Sequence, residues 1–172
     1  MGLVFLLGGA RSGKSALAVR LAAESDSPVV FVATTEVRGG DEELRARVDA
    51  HRAERPSSWA TVEEPLELAH ALREAPAEAC VVVDCLTLWT ANALEAGLDD
   101  AAVERAAVEA ADVAASREAL TVVVSNEVGL GVVPATPLGR RFRDVLGRVN
   151  AVFAAAAERA SFVVAGRELE LR

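Results

Sequence analysis

The octet GGARSGKS near the N-terminus fits the pattern G-x-x-x-x-G-K-[ST], in which glycines, a lysine and a hydroxyl side chain surround phosphate. Gly8, Gly9 and Gly13 would let backbone N–H groups turn toward phosphate oxygens. Lys14 would bridge the terminal phosphates, and Ser15 would ligate Mg²⁺. Lys14 is the only lysine, since the other seventeen of the 18 Lys and Arg residues are arginine. The octet predicts a bound nucleoside triphosphate, and a chance match in a glycine-rich turn is the alternative.

A carboxylate that could share this magnesium ion follows the apolar run Cys80–Val83. Asp84 ends that run, which is typical of a buried strand, and the carboxyl ends of parallel strands meet at one edge of a sheet. The predicted strand Leu3–Leu7 leads into the glycine loop at the same edge, so Asp84 can reach a metal beside Ser15. The alternative is an aspartate that caps the following segment.

The segment HRAERP contains the second candidate for chemistry, a histidine followed by two arginines. His51 shares a face of a predicted helix with the apolar Leu44 and Val48, so a structural role is one interpretation. Arg52 and Arg55 suit a phosphate ligand better than a hydrophobic core. A neutral imidazole beside such a ligand could attack phosphorus and form a phosphoramidate. Both interpretations of His51 stay open on these residues alone.

Two further stretches in the second half of the chain could carry function. The segment SNEVGLGVVP lies at the end of a predicted strand, and it is either an ordered functional loop or an ordinary β-to-α connection. The helix after it carries RRFRDVLGRVN, whose arginines could contact an anionic ligand or a partner subunit, or could line a solvated face. These arginines are Arg140, Arg141, Arg143 and Arg148.

Short apolar runs alternate with longer segments of helical periodicity, which predicts an α/β fold with a mostly parallel sheet flanked by helices. Ala101–Leu120 is helical by propensity, and apolar residues from Leu138 to Phe153 form one predicted stripe. DEELRARVDAHRAER, within the loose stretch Glu36–Glu64, also looks helical. A hairpin around Gly166-Arg167 should add a C-terminal antiparallel edge. The predicted strands are Leu3–Leu7, Val29–Ala33, Cys80–Asp84, Leu120–Ser125 and Ser161–Ala165.

The composition narrows the class of protein. The length of 172 residues and the absence of a linker indicate a single domain over residues 1–172. A net charge of −8 argues against partners such as nucleic acid or an anionic membrane surface. The N-terminal apolar run is too short to span a membrane and lacks a basic leader, which predicts a cytoplasmic protein. Cys80 and Cys85 are expected as buried thiols in a reducing compartment, and no Cys-His cluster favours zinc.

Taken together and in this order, the motifs resemble one enzyme family. They are GGARSGKS, VATTE after the second strand, HRAERPSSW, VVVDCLTLW, SNEVGLGVVP and RFRDVLGRVN. The family is the bifunctional adenosylcobinamide kinase and adenosylcobinamide-phosphate guanylyltransferase of cobalamin biosynthesis. The resemblance spans Leu3 to about Gly166, and HRxxRP and SNEVGxGxVP are far more specific than a phosphate loop alone.

The resemblance implies a RecA-like P-loop NTPase domain that assembles as a homotrimer. It implies that GTP or ATP phosphorylates the aminopropanol hydroxyl of adenosylcobinamide. GMP from GTP is then transferred to that phosphate, which gives adenosylcobinamide-GDP and pyrophosphate. The histidine that becomes guanylylated in the family matches His51, and Glu63 is the candidate reader of the guanine base.

The site residues that the sequence predicts form three groups. The catalytic residues are His51 and Lys14, and the metal ligands for Mg²⁺ are Ser15 and Asp84. The nucleotide-binding positions, carried over by resemblance, are Gly8, Gly9, Ala10, Arg11, Ser12, Gly13, Lys14, Ser15, Ala33, Thr34, Thr35, Arg52, Ala53, Glu54, Arg55, Glu63 and Asp84.

Two other functions compete with this interpretation. A P-loop small-molecule kinase with a structural His51 would transfer the γ-phosphate to a hydroxyl and would carry no protein-bound nucleotide. A nucleotide-switch module would need loops that γ-phosphate reorganises, and it gives no reason for HRAERP to occur with SNEVGLGVVP.

Overall fold

The computed structural model describes residues 2–35 and 55–172, and seven strands within these ranges form one sheet. Their spatial order is β3-β2-β4-β5-β1-β6-β7. All neighbours pair in parallel except β6 and β7, which form the antiparallel C-terminal hairpin that the sequence predicts. The strands are β1 Leu3–Gly8, β2 Val29–Ala33, β3 Ala60–Glu63, β4 Cys80–Asp84, β5 Thr121–Asn126, β6 Arg159–Val164 and β7 Arg167–Leu171.

Helices cover both faces of the sheet and enclose two apolar layers. The helix α1 packs on one face, where Leu17 and Ala18 meet the even-numbered valines of β5. The other helices pack on the opposite face around Trp89 and Phe153. The mostly parallel α/β architecture is therefore confirmed, and the interior strands β2, β4, β5 and β1 are mainly apolar because helices cover both of their faces. The described helices are α1 Lys14–Ala23, α2 Leu68–Glu74, α3 Leu86–Glu95, α4 Asp100–Ser116 and α5 Pro137–Ala156.

The segment between β2 and α2 differs from the prediction. Within the loose stretch Glu36–Glu64, the structure contains the edge strand β3, which pairs in parallel with β2 from Val30–Ala60 to Ala33–Glu63. All four residues of β3 are exposed, so the strand lacks the apolar run by which the other parallel strands were recognised. The helix predicted over DEELRARVDAHRAER lies almost wholly outside the described residues.

The helix predicted over Ala101–Leu120 ends earlier, at Ser116, because the next residue adopts an extended conformation. The guanidinium group of that residue, Arg117, donates hydrogen bonds to backbone carbonyls at the end of α2 and before β4. These bonds are 2.7–3.1 Å long. They stabilise Arg117 in its extended conformation, where a longer α4 would have had another turn. The accepting residues are Leu72, Ala75, Pro76 and Ala79.

The apolar stripe predicted on α5 is correct in its second half and wrong at its first member. Val145, Leu146, Val149 and Phe153 are buried. Leu138, by contrast, is 64% exposed, and it lies in the first turn of α5, before the buried part of the stripe begins.

The two cysteines are buried free thiols, as the sequence predicts. Burial raises the pKa of the Cys85 thiol to about 11, so this thiol stays protonated and unreactive at neutral pH. In residues 2–35 and 55–172, no helix is long and apolar enough to cross a membrane.

Candidate nucleotide site

The glycine loop lies between β1 and α1, which is the strand–loop–helix context that the motif requires. Gly13 is the N-cap of α1 and has φ 100°, a conformation that glycine adopts without strain. No side chain caps this helix, so the first amides of α1 remain available to an anion. The chain also turns through a positive φ of 56° at Arg11. The loop therefore presents backbone donors around one concave point.

The C-terminal hairpin, through β6 and its turn, packs closely against the glycine loop. The amide of Gly166, in the hairpin turn, donates to the carbonyl oxygen of Ser12 at 2.8 Å. A Cβ atom at Gly8 would lie 2.3 Å from the carbonyl oxygen of Val163, so only glycine fits where β1 passes under the loop. Gly13 is similarly close, since its Cβ would lie 3.2 Å from the Cα atom of Gly166.

Lys14 lies inside the loop rather than in solvent. The residue is only 7% exposed, and its Nζ donates to the carbonyl oxygen of Gly9 at 2.9 Å. Burial lowers the pKa of Lys14, while Cys85 and the carboxylate of Asp84 act in the opposite direction. The ammonium group is thus preorganised in the concave side of the loop, where a phosphate oxygen could replace the carbonyl oxygen as its partner.

Asp84 lies at the tip of β4 and on the α1 face of the sheet. Cys80 and Val82, which share its face of the strand, pack with α1, and the carboxylate acts on the pKa of Lys14. The side chain is partly exposed. The structure therefore brings Lys14 and Asp84 to one edge and one face, as the strand-tip argument predicts.

Thr34 fastens the tip of β2 to the tip of β4. Its hydroxyl group donates to the carbonyl oxygen of Cys85 at 2.7 Å and accepts from the Cys85 amide at 2.9 Å. The side-chain amide of Asn92, on α3, donates to the carbonyl oxygens of Thr34 at 2.8 Å and Pro65 at 3.2 Å. Asn92 was not among the predicted residues, because this contact joins positions far apart in the sequence.

Ala33 and Glu63 occupy the same edge, farther from the loop. Ala33 is paired with Asp84 on one side and with Glu63 on the other. Glu63 is exposed at the tip of β3, and Thr35 follows Thr34 beyond the tip of β2. The tips of β3, β2 and β4 thus form a continuous ledge along one edge of the sheet, which runs from Glu63 through Ala33 to Asp84.

Of the segment HRAERP, which carries His51, the structure describes only Arg55 and Pro56. His51, Arg52, Ala53 and Glu54 lie outside the described residues. The guanidinium carbon of Arg55 lies 3.7 Å from the centre of the Phe31 ring, a cation–π contact. Phe31 packs in the α1 layer, so the chain re-enters the described region on the same face as Lys14 and Asp84.

The segment SNEVGLGVVP begins inside the sheet and ends in solvent. Ser125 and Asn126 belong to β5, and the amide of Glu127 donates to the carbonyl oxygen of Gly8 at 3.0 Å. Farther on, Leu130 and Val132 are 81% and 95% exposed. The first part of this segment is therefore an ordered continuation of the site, and its apolar tip projects away from the sheet.

The arginines of α5 form hydrogen bonds within the described chain. Arg141 donates to Asp100 at 2.7 Å, and Arg148 donates to Asp100 at 3.0 Å and also to Glu104. Arg140 holds two backbone carbonyls of the preceding loop, and Arg143 pairs with its neighbour Asp144. These contacts tie α5 to α4 and to the loop before it, an intramolecular role that was not among the interpretations offered by the sequence.

Oxygen ligands suited to a hard divalent cation are present at the loop. Ser15 supplies a hydroxyl at the first turn of α1, and Asp84 supplies a carboxylate on the same face of the sheet. Among the residues that the structure describes, no group of three or more His, Cys, Asp or Glu could hold a metal ion. A cation here would therefore share its coordination with phosphate oxygens and water, as Mg²⁺ commonly does.

Sequence comparison identifies the family. A family model described as cobinamide kinase / cobinamide phosphate guanyltransferase matches residues 4–171. The chain belongs to this family. The cobinamide kinase / guanyltransferase family is the one that the ordered motifs resemble, so that prediction is confirmed.

Two curated relatives extend the match over whole chains. The bifunctional adenosylcobalamin biosynthesis protein CobP of Pseudomonas aeruginosa is 45% identical over 168 residues, which cover 97% of this chain and 95% of that protein. The bifunctional adenosylcobalamin biosynthesis protein CobU of Escherichia coli is 37% identical and covers 99% of both chains.

Solved structures at low identity show the same fold. The ATPase EscN of the enteropathogenic E. coli type III secretion system has a TM-score of 0.60 at 15% identity and covers 95% of this chain and 43% of that chain. The RadB recombinase has a TM-score of 0.51 at 17% identity, with 94% and 73% covered. These neighbours confirm the RecA-like P-loop fold of this family member.

Proposed function

We propose that this chain phosphorylates the aminopropanol hydroxyl of adenosylcobinamide and then transfers GMP from GTP to the resulting phosphate. The products would be adenosylcobinamide-GDP and pyrophosphate. The observation that carries the proposal is the family match over residues 4–171, joined to a glycine loop that holds Lys14 buried beside Asp84. The 45% identity to CobP of Pseudomonas aeruginosa over nearly both full lengths supports it further.

In the kinase step, the site holds a nucleoside triphosphate, GTP or ATP, with the terminal phosphates on the loop. The free amides of α1 and the Nζ of Lys14 donate to phosphate oxygens. The substrate hydroxyl oxygen attacks the γ-phosphorus and loses its proton, and the bond between the γ-phosphorus and the bridging oxygen breaks. Lys14 stabilises the charge that collects on the departing diphosphate, so catalysis here rests on positioning and electrostatics.

In the guanylyl step, the α-phosphorus of GTP is attacked instead. The imidazole of His51 forms a P–N bond as pyrophosphate leaves, and Lys14 stabilises the leaving group. A phosphate oxygen of adenosylcobinamide phosphate then attacks the same phosphorus, the P–N bond breaks, and histidine is regenerated. The role of His51 rests on its place in HRAERP, since this residue is outside the described ranges.

The remaining predicted residues would contact the nucleotide around this centre. Thr35 would face it from the ledge of strand tips, and the buried Thr34 would position that ledge through Cys85. Arg55, which stacks on Phe31, would approach it on the α1 face, and Arg52 is included for its place in HRAERP. The carboxylate of Glu63 suits the N1–H and N2–H₂ donors of guanine. The wider set comprises Gly8, Gly9, Ala10, Arg11, Ser12, Gly13, Ala33, Ala53 and Glu54.

We include Mg²⁺ in the proposal, with Ser15 and Asp84 as its protein ligands. When bound, Mg²⁺ neutralises charge on the phosphate oxygens of the nucleotide. The hydroxyl of Ser15 and the carboxylate of Asp84 are hard oxygen donors on one face of the sheet, which fits this ion. We also propose that the chain assembles as a homotrimer in the cytoplasm and that it has no nucleic-acid or membrane partner.

The experiment is a product analysis with adenosylcobinamide, GTP and Mg²⁺. The proposal predicts adenosylcobinamide phosphate at early times, followed by adenosylcobinamide-GDP together with pyrophosphate, and neither product with Lys14→Met. A reaction that stops at the phosphate would show a kinase alone. An intact corrinoid would contradict both activities and would favour the nucleotide-switch module.

A further inference from the structure

Asn126 lies at the tip of β5, and β5 lies between the strand of the glycine loop and the strand of Asp84. Asn126 is level with Gly8 of β1, while Val124, two residues earlier, is level with Asp84 of β4. The position therefore projects beyond Asp84 at the edge where the loop begins. The predicted set of site residues does not include it.

The carboxamide of Asn126 lies on the same face of the sheet as Lys14. Side chains alternate between faces along a strand. Val122 and Val124 pack in the layer under α1, so Asn126 continues that row. Ser125 lies on the opposite face, where its hydroxyl bonds a residue of α5, which agrees with this alternation.

The backbone of Asn126 is fixed by two side chains from different helices. Its amide donates to the Oγ1 of Thr87, on α3, at 2.8 Å. Its carbonyl oxygen accepts from the Nδ2 of Asn150, on α5, at 3.1 Å. The Oδ1 of Asn150 in turn accepts from the hydroxyl of Ser125 at 2.6 Å, and both of these side chains are buried.

This arrangement leaves only the carboxamide of Asn126 available. The side chain is partly exposed, and none of the described residues forms a hydrogen bond with its Oδ1 or Nδ2 atom. A buried polar pair within an apolar layer has a desolvation cost, and it is favourable only where its partners are satisfied. Here the pair of Ser125 and Asn150 fixes the backbone at the tip of β5, so the Asn126 side chain leaves the strand on the face that α1 covers.

A carboxamide has chemistry suited to that place. It offers two N–H donors and one acceptor oxygen, and it carries no charge. It can therefore lie near the Asp84 carboxylate and a triphosphate without repulsion, whereas a carboxylate at the same position would repel both. Donors aimed at the terminal phosphate are most valuable where charge develops during transfer.

We propose that Asn126 is a further nucleotide-binding residue whose carboxamide donates a hydrogen bond to an oxygen of the terminal phosphate held by Lys14. The inference rests on the nucleotide site of the proposed function, and it concerns the γ-phosphate and not the corrinoid. The residue thus distinguishes triphosphate from diphosphate and assists γ-phosphate transfer.

The test compares Asn126→Ala and Asn126→Asp with the wild type. We expect Asn126→Ala to lower kcat for γ-phosphate transfer by about 10²-fold, since this is the usual effect of removing one preorganised donor. Asn126→Asp should lose more, because its carboxylate repels phosphate. Calorimetric affinity for GDP should stay unchanged in Asn126→Ala, while affinity for a non-hydrolysable GTP analogue falls. Thr121→Val, at the opposite end of β5, is the matched control and should leave all of these values unchanged.

Unchanged γ-phosphate transfer in Asn126→Ala, or an equal loss of affinity for GDP and the GTP analogue, would overturn the inference. If Asn126→Ala does not fold, Asn126→Ser is judged by the same criteria. The binding measurements need no corrinoid. A chain that failed to turn over adenosylcobinamide but lost its preference for triphosphate with Asn126→Ala would refute the proposed function and support this inference.

Discussion

Thr34 and Cys85 exchange two hydrogen bonds across the tips of β2 and β4, through one fully buried hydroxyl group. The two residues are 51 positions apart in the sequence, so the pair fixes the distance between two strand tips that are not adjacent along the chain. Because Asp84 precedes Cys85, the same pair fixes the backbone that carries the predicted metal ligand.

Replacing Thr34 with valine keeps the shape of the side chain and removes the hydroxyl. The amide and the carbonyl of Cys85 then lose this partner, so we expect the free energy of unfolding to fall by about 1–3 kcal/mol. Chemical denaturation measures the change. Thr34→Ser is the matched control, since it keeps the hydroxyl. If serine were as destabilising as valine, the hydrogen bonds would not be the reason for the loss.

Lys14→Met should separate binding from stability. The variant should lose affinity for triphosphate, whereas its unliganded form should be at least as stable as the wild type. The physical reason is that the pKa of Lys14 is lowered in the folded state, mainly by burial, so the charged lysine destabilises the unliganded fold at neutral pH.

The sign of this effect predicts a pH dependence. As the pH rises through the folded-state pKa of Lys14 toward its ordinary value of 10.5, the cost of the buried charge disappears. The stability of the wild type relative to Lys14→Met should therefore increase over that range, as measured by denaturation at several pH values. A relative stability that fell with rising pH would contradict the description of Lys14 as a buried, desolvated cation.

Asp100 should contribute stability that acid removes. Hydrogen bonds from Arg141 and Arg148 hold the pKa of this carboxyl below its ordinary value of 3.8, with the Arg141 bond as the largest cause. A carboxyl with a lowered folded-state pKa stabilises the fold above its unfolded-state pKa, and this contribution is lost as the pH falls through the folded-state value. Asp100→Asn should thus be less stable than the wild type at pH 7, and the difference should vanish in strong acid.

The control for this experiment is Asp112→Asn, an exposed aspartate on the same helix. It should leave the free energy of unfolding at pH 7 nearly unchanged, because no ion pair within the described residues involves it. High salt should shrink the effect of Asp100→Asn, since the ion pairs with α5 are partly exposed to solvent. A difference that persisted in acid would assign the effect to helix propensity instead of charge.

Sequence reasoning located the glycine loop and Asp84 because both depend on local patterns. A glycine motif after an apolar strand and an aspartate at the end of another strand have signals within about ten residues, and parallel strand tips share one edge. The C-terminal hairpin was also predictable, but its two-residue turn is Ala165-Gly166, both with positive φ, one residue earlier than the predicted Gly166-Arg167.

The rest depended on contacts between distant parts of the chain. β3 is exposed at all four residues and is a strand only because it pairs with the edge of β2, so its sequence carries no apolar period. The contacts that fix Asn126 come from Thr87 and Asn150, on two different helices. The position of Asn126 itself, by contrast, has a local signal, because it follows the apolar run of β5 just as Asp84 follows that of β4.

The proposed guanylyl step requires a covalent bond between His51 and the α-phosphate of GTP. The direct measurement is incubation with GTP labelled at the α-phosphate, in parallel with GTP labelled at the γ-phosphate, followed by denaturation and counting of protein-bound label. The chain has two histidines, and His70, exposed on α2, provides the matched control.

Acid-labile α-label is expected on the wild type and on His70→Ala, and none is expected on His51→Ala. No γ-label is expected on any of them, because pyrophosphate leaves in the guanylyl step. A wild type that never acquires α-label, or a His51→Ala variant that still acquires it, would contradict the guanylyl-histidine mechanism.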